Sequence, residues 1–177
     1  LHVTGSSSFV PILEGLAKNP HVRLTELHLD LGSFAERPDW TGPLTGAAFE
    51  GLEVLALGQY RALLGAEVLL DGAVLPRLRD LATPLLDDRA LPALERLALL
   101  RGAVFDESAL MGVLERSPRL RTLVVNARDT LDEAAWNRVA RALLALPDDH
   151  PLQVVKLDTV GDADLLARLR ERFARWE

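Results

Sequence analysis

The chain of 177 residues contains no cysteine, a single isoleucine, a single methionine and only two lysines, Lys18 and Lys156. Without thiols there is no disulfide, no thiolate metal site and no cysteine nucleophile, and a reducing location, the cytoplasm, is expected. Aromatic residues make up 5% of the chain, and Trp40, Trp136 and Trp176 are too scattered for a base-stacking platform. No run of about 18 apolar residues occurs, and no basic stretch leads into an apolar one at the start, so neither a membrane span nor a signal peptide is visible. The formal net charge of -6 disfavours general attraction to phosphate backbones. Arg116, Arg119, Arg121 and Arg128 come nearest to a basic cluster, and Glu115 and Asp129 beside them point to ordinary surface pairing. A glycine-rich phosphate loop, a G-x-S-x-G elbow and an H-E-x-x-H helix are all missing. No cofactor, metal, nucleic acid or membrane is therefore expected as a partner.

What the chain does have is leucine, 38 copies, set in a recurring frame. The pattern L-x-x-L-x-L stands at Leu94-x-x-Leu97-x-Leu99, and the frame returns from Leu24, Leu52, Leu78, Leu120 and Leu152. Val replaces Leu at 125 and 155, and the copy at Leu78 keeps only Leu81. Leu1-His2-Val3 fits the end of a further copy. Starts at 24, 52, 78, 94, 120 and 152 give spacings of 28, 26, 16, 26 and 32 residues. Four of these suit a strand followed by a helix; the unit from 78 to 94 has no room for one, and Thr83-Pro84 and Leu91-Pro92 predict an extended or turn connection there.

Between the strands the helical signals recur. Ser6 to Ser8 offer capping hydroxyls before Ile12, Leu13, Leu16 and Ala17 at helical spacing, and Pro11 suits a first turn. The residues from Gly32 to Gly51 read as loop with one short helix near Ala47 to Glu50, and Gln59 to Leu70 as a helix interrupted by Gly65. Asp106 is a predicted cap for a helix reaching Arg116, with Leu110, Val113 and Leu114 on one side. Thr130 to Glu133 has the form of a capping box ahead of an inner face made of Ala135, Val139, Ala142, Leu143 and Leu146. Asp162 leads a last helix with Leu165, Leu166, Leu169, Phe173 and Trp176 on one stripe.

On these six frames, three of them with Pro two places before the first Leu, the sequence resembles the leucine-rich repeat family. The unit lengths are similar to those of its helix-backed, ribonuclease-inhibitor-like class. The resemblance implies an α/β solenoid over residues 1–177 as one domain, with parallel strands on a concave face, helices and loops on a convex face, and one irregular short repeat. It also implies a fragment or carboxyl-terminal part of a longer protein, with further repeats or domains before Leu1.

Alternation within each strand turns the fourth and sixth positions inward and the third, fifth and seventh outward. The outward set is Glu26, His28 and Asp30; Val54, Ala56 and Gly58; Asp80 and Ala82; Arg96, Ala98 and Leu100; Thr122, Val124 and Asn126; Val154, Lys156 and Asp158. Its centre is small and apolar and its ends carry charge, the anatomy of a protein contact surface. The expected function is a non-enzymatic protein–protein interaction scaffold, with Glu26, His28, Val54, Ala56, Arg96, Ala98, Leu100, Thr122, Val124, Val154 and Lys156 as the partner-binding residues.

Other chemistry is thin. His28 and Asp30 could face outward together for proton transfer, yet no nucleophile accompanies them. Asp148-Asp149-His150 and Asp87-Asp88-Arg89 read as solvated turns. The alternative is an α/β enzyme domain with an open parallel sheet and a site at the carboxyl ends of its strands, using His28, Asp30, Asn126 and Asp158. That architecture requires a reversal of strand order and helices on both sheet faces. The polar-out alternation disfavours it.

Overall fold

The computed structural model of the chain describes residues 1–4, 9–30, 44, 46–58, 75–86, 91–104, 107–126, 132–157, 162–173 and 175–176. Among the described residues one sheet contains eight strands: β1 (His2–Thr4), β2 (Glu26–Asp30), β3 (Val54–Leu57), β4 (Asp80–Leu85), β5 (Arg96–Val104), β6 (Thr122–Val125), β7 (Val154–Leu157) and β8 (Arg175–Trp176). Every neighbouring pair is parallel, and the order across the sheet is the order along the chain. The strand-order reversal of a doubly wound sheet does not occur among them. Four helices are described: α1 (Phe9–Ala17), α2 (Glu107–Arg116), α3 (Glu133–Leu144) and α4 (Ala163–Arg172). α2 packs on α3 and α3 on α4, as neighbours in one layer.

The leucine frame works as a turn followed by a strand. The N–H of the first Leu bonds back three residues: Leu78 to Leu75 O at 3.2 Å, Leu94 to Leu91 O at 3.0 Å, and Leu120 to Ser117 O at 3.0 Å. Pro76, Pro92 and Pro118 each occupy the second position of such a turn, where a fixed φ is preorganised. Leu52 repeats the bond, to Phe49 O at 3.0 Å, with Glu50 in that position. The carbonyl that follows each first Leu then accepts two N–H groups from the next unit. Thr25 O receives Glu53 and Val54, Glu53 O receives Arg79 and Asp80, and Arg79 O receives Glu95 and Arg96. Glu95 O receives Arg121 and Thr122, and Arg121 O receives Gln153 and Val154, all ten at 2.8 to 3.1 Å. The repeat thus fixes the register before the strands proper begin.

Inside, the leucines stack into columns. Leu52, Leu78, Leu94, Leu120 and Leu152 form one, Leu27, Leu55, Leu81, Leu97, Leu123 and Val155 the second, and Leu29, Leu57, Leu99, Val125 and Leu157 the third, all buried in one continuous core. Thr83 takes the third-column place in the copy that keeps only Leu78 and Leu81, and is fully buried there. Strands β4 and β5 shift register between Thr83 and Leu85, so the short unit is carried by extended chain through Thr83-Pro84, as its spacing predicts. Strand β5 runs to Val104, five residues beyond the frame.

Several local expectations need correction. The short helix near Ala47 to Glu50 is a hydrogen-bonded turn, Phe49 N–H to Gly46 O at 3.0 Å, because Leu52 must restart the strand turn at once. Ile12 is 43% exposed: the inner stripe of α1 is Leu13, Leu16 and Ala17, and Ile12 falls to the side of it. The cap of α3 is Asp132, whose carboxylate accepts Ala135 N–H at 2.7 Å, rather than Thr130. Trp136 is buried in the inner face of α3 while Ala135 is half-buried. Asp162 caps α4 as expected, accepting Asp164 N–H at 2.8 Å and Leu165 N–H at 3.3 Å. That helix ends at Arg172 because Phe173 turns extended, at φ -101° and ψ 130°, so Trp176 lies on β8 and not on the helical stripe. Ser6 to Ser8, Gln59 to Leu70, Asp87 to Arg89, Asp106, Arg128, Thr130 and Asp158 lie outside the described residues.

Candidate functional site

The sheet has one face against the core and one without covering helices among the described residues. In β3, β6 and β7 burial alternates residue by residue, with Leu55 and Leu57, Leu123 and Val125, Val155 and Leu157 inside. Register converts the intervening residues into rows that cross the strands. Glu26, Val54, Asp80, Arg96, Thr122 and Val154 stand side by side in one row, and His2, His28, Ala56, Ala82, Ala98, Val124 and Lys156 in the next.

Ten of the eleven sequence-predicted binding residues therefore lie together in two adjacent rows, and Leu100 extends the face two residues further along β5. Glu26 and Arg96 are exposed; His28, Val54, Ala56, Leu100, Thr122, Val124, Val154 and Lys156 are half-buried. Ala98 differs. At 3% exposure it is recessed between Ala82 and Val124, its in-register neighbours, and forms floor rather than contact surface.

The charges are arranged with more detail than alternation gives. Arg96 Nη1 donates to Asp80 Oδ1 at 2.8 Å across neighbouring strands, with the two side chains 44% and 33% exposed. The centre of the face is thus an apolar strip crossed by a neutral ion pair, and Arg96 is oriented by Asp80 instead of standing alone. At the β1–β2 end, His28 Nε2 lies 3.9 Å from Glu26 Oε2, and the His2 and His28 rings are 5.8 Å apart between centroids, tilted by 57°. The position before the first row carries Glu53, Arg79, Glu95 and Arg121, each immediately ahead of its strand, an alternation of charge that places unlike neighbours side by side.

The other candidate groups separate. Asp30 stands in register with Thr4 at the end of β2. Asp148 and Asp149 are exposed, while His150 is held by backbone: Leu152 N–H donates to Nδ1 at 3.2 Å, and Nε2 lies 3.3 Å from Leu114 O. Since Nδ1 accepts, the ring hydrogen sits on Nε2 and points at Leu114. Among the described residues no three His, Asp or Glu groups converge as a metal site, and no helix is long and apolar enough to cross a membrane.

Strand alternation in the sequence identifies the face, but the predicted binding set lacks His2. The signal was present, because Leu1-His2-Val3 fits the frame at the place that Leu27-His28-Leu29 occupies one unit later. The Asp80–Arg96 pair was less visible. It needs the 16-residue spacing of the short unit to be a true one-strand step, which only the pairing of β4 with β5 shows. Comparison of the chain with models of protein families, with curated proteins and with solved structures finds no match in any of the three.

Proposed function

We propose that the chain is a leucine-rich repeat solenoid of the helix-backed class and that it acts as a cytoplasmic protein–protein interaction module, without catalytic activity, through its open sheet face. The observation that carries this reading is the pair of in-register rows, which spreads a contact surface over six successive strands with no helix set on it among the described residues. Strands lie about 4.8 Å apart while helices need about 10 Å, so a sheet backed on one side by consecutive helices curves away from them. That leaves the rows on the concave side. Val54, Ala56, Leu100, Val124 and Val154 supply apolar contact, the Asp80–Arg96 pair supplies polar orientation at the centre, and Glu26, His28 and Lys156 form the rim.

The test uses the chain immobilised as bait, compared with an Arg96→Glu, Val124→Asp double variant and with Arg141→Glu on the exposed side of α3. Proteins retained by the parent chain and by Arg141→Glu, but lost from the double variant, are the expected outcome. Equal retention by all three, with unchanged circular dichroism, removes the face from consideration.

A further inference from the structure

We propose that the open face receives α4 of a second copy of this chain, an inference that rests on that face being a protein-binding surface. Its rim carries Arg79, Glu95 and Arg121 immediately ahead of β4, β5 and β6, all three exposed and without a side-chain ion pair among the described residues. Neighbouring strands are about 4.8 Å apart, so this run of positive, negative and positive charge spans about 9.6 Å. The outer side of α4 carries the opposite run, Asp164, Arg168 and Glu171, likewise exposed and without ion pairs among the described residues. The seven residues from Asp164 to Glu171 rise about 10.5 Å along a helix. The two runs thus match in sign, and in length to within about 1 Å, a gap that flexible side chains close. Among the described helices the run is confined to α4: Glu14 and Lys18 on α1 already pair at 3.9 Å, and α2 and α3 have no three charges of alternating sign at helical spacing. Small residues accompany both runs. Ala163 and Ala167 are exposed beside the charged stripe of α4, and Ala82 and Ala98 lie on the face inward of the rim, with Ala98 as floor. Handedness then selects one direction. With right-handed crossovers between parallel strands and a right-handed helix, the alanine stripe falls over Ala82 and Ala98 only when Asp164 meets Arg79 and Glu171 meets Arg121. That direction also turns the positive amino end of α4 toward Glu53 and sets its negative carboxyl end beside Arg121. Helix and receiving face are different surfaces, so the contact does not close on itself and copies add head to tail.

Sedimentation velocity of the full chain at rising concentration tests it. The average mass should climb above that of one chain with a dissociation constant of about 10 to 100 µM, as suits a small contact. It should fall back as salt is raised, because exposed pairs are screened. Arg168→Glu or Glu95→Arg should each weaken association about tenfold or more, since each sets like charges together at the centre of the run. Both changes in one chain should restore association, as should mixing the two single variants, an outcome that no folding defect produces. Arg141→Glu on α3 should change nothing. A chain that stays monomeric to millimolar concentration overturns the proposal and leaves the face to other proteins, which the bait comparison reads separately. Association unchanged by Glu95→Arg also overturns it, by moving the contact off the face, as does a double variant no better than either single one.

Discussion

Arg172, in the last turn of α4, donates through Nη1 to the carbonyl of Leu144 at 2.9 Å, and so closes the end of the preceding helix α3. Its Nη2 donates to the carbonyls of Leu146 and Pro147 as well, and Asp148 Oδ1 lies 3.6 Å from Nη1. One cation thus satisfies three carbonyls at and just past a helix end, where the helix dipole is negative. Arg172→Ala should lower the unfolding free energy by about 2 kcal/mol, since several charge-assisted bonds in a part-buried site are lost. Arg172→Lys should restore less than half, because an ammonium cannot span three acceptors in the plane a guanidinium covers. Urea melts of the three proteins check both figures, and a lysine variant as stable as the parent would show that charge alone matters.

Ser117 presents the opposite case. It sits at the first position of the turn closed by Leu120, fully buried, and its Oγ has no hydrogen-bond partner. Its backbone carbonyl serves the repeat and its hydroxyl does not. Ser117→Ala is expected to leave stability unchanged or raise it by up to about 1 kcal/mol, as removal of an unsatisfied buried polar group does. A loss of similar size in thermal or urea unfolding would mean the hydroxyl is bonded in solution.

Gly46 has φ 109°, and a Cβ built there would stand 3.1 Å from the carbonyl oxygen of Ala17 at the end of α1. Conformation disfavours a side chain there, and space is tight enough that Ala17 would have to give by a few tenths of an ångström. Gly46→Ala should destabilise by about 1 to 3 kcal/mol, with the loss concentrated where α1 meets the turn before β3. Amide exchange that quickens at Phe49, whose N–H bonds Gly46 O, is the local sign to look for.

His150 joins two units through both ring nitrogens, accepting Leu152 N–H and reaching Leu114 O at the carboxyl end of α2. His150→Ala should cost about 1 to 2 kcal/mol, because the Leu152 donor is then left to find water in a partly enclosed place. His150→Asn keeps a side-chain acceptor near that N–H and should recover part of the loss. If alanine and asparagine cost the same by urea melt, the Leu152 bond contributes nothing.

Much of the architecture was legible because the repeat writes its physics into spacing. Pro76, Pro92 and Pro118 announce turns that do close on Leu78, Leu94 and Leu120, and alternation from Leu27 to Leu29 or Leu123 to Val125 assigns the inner columns correctly. What failed was local and helical. Ile12 and Leu13 are both apolar neighbours on α1, and only packing against the sheet decides which one turns inward. Thr130 and Asp132 are both competent caps, and the choice depends on where the chain leaves the strand, which no single residue encodes. Trp176 fits the period of the last helix, yet the extended backbone at Phe173 moves it onto β8. On the face, exposure depends on neighbours one strand away on each side, distant in sequence: Ala98 is an ordinary outward alanine until Ala82 and Val124 are set on either side of it.

The carbonyls of Thr25, Glu53, Arg79, Glu95 and Arg121, each accepting two N–H groups from the following unit, link each strand from β3 to β7 to its immediate predecessor. Order in such a chain propagates like a zipper. Each closed unit presents the template for the next, and the ordering entropy of one unit is offset by a single shared boundary. The molecule then has no keystone strand: a defect at the short unit between Leu78 and Leu94 divides it into two arrays that melt separately, while an equal defect at either end merely shortens it.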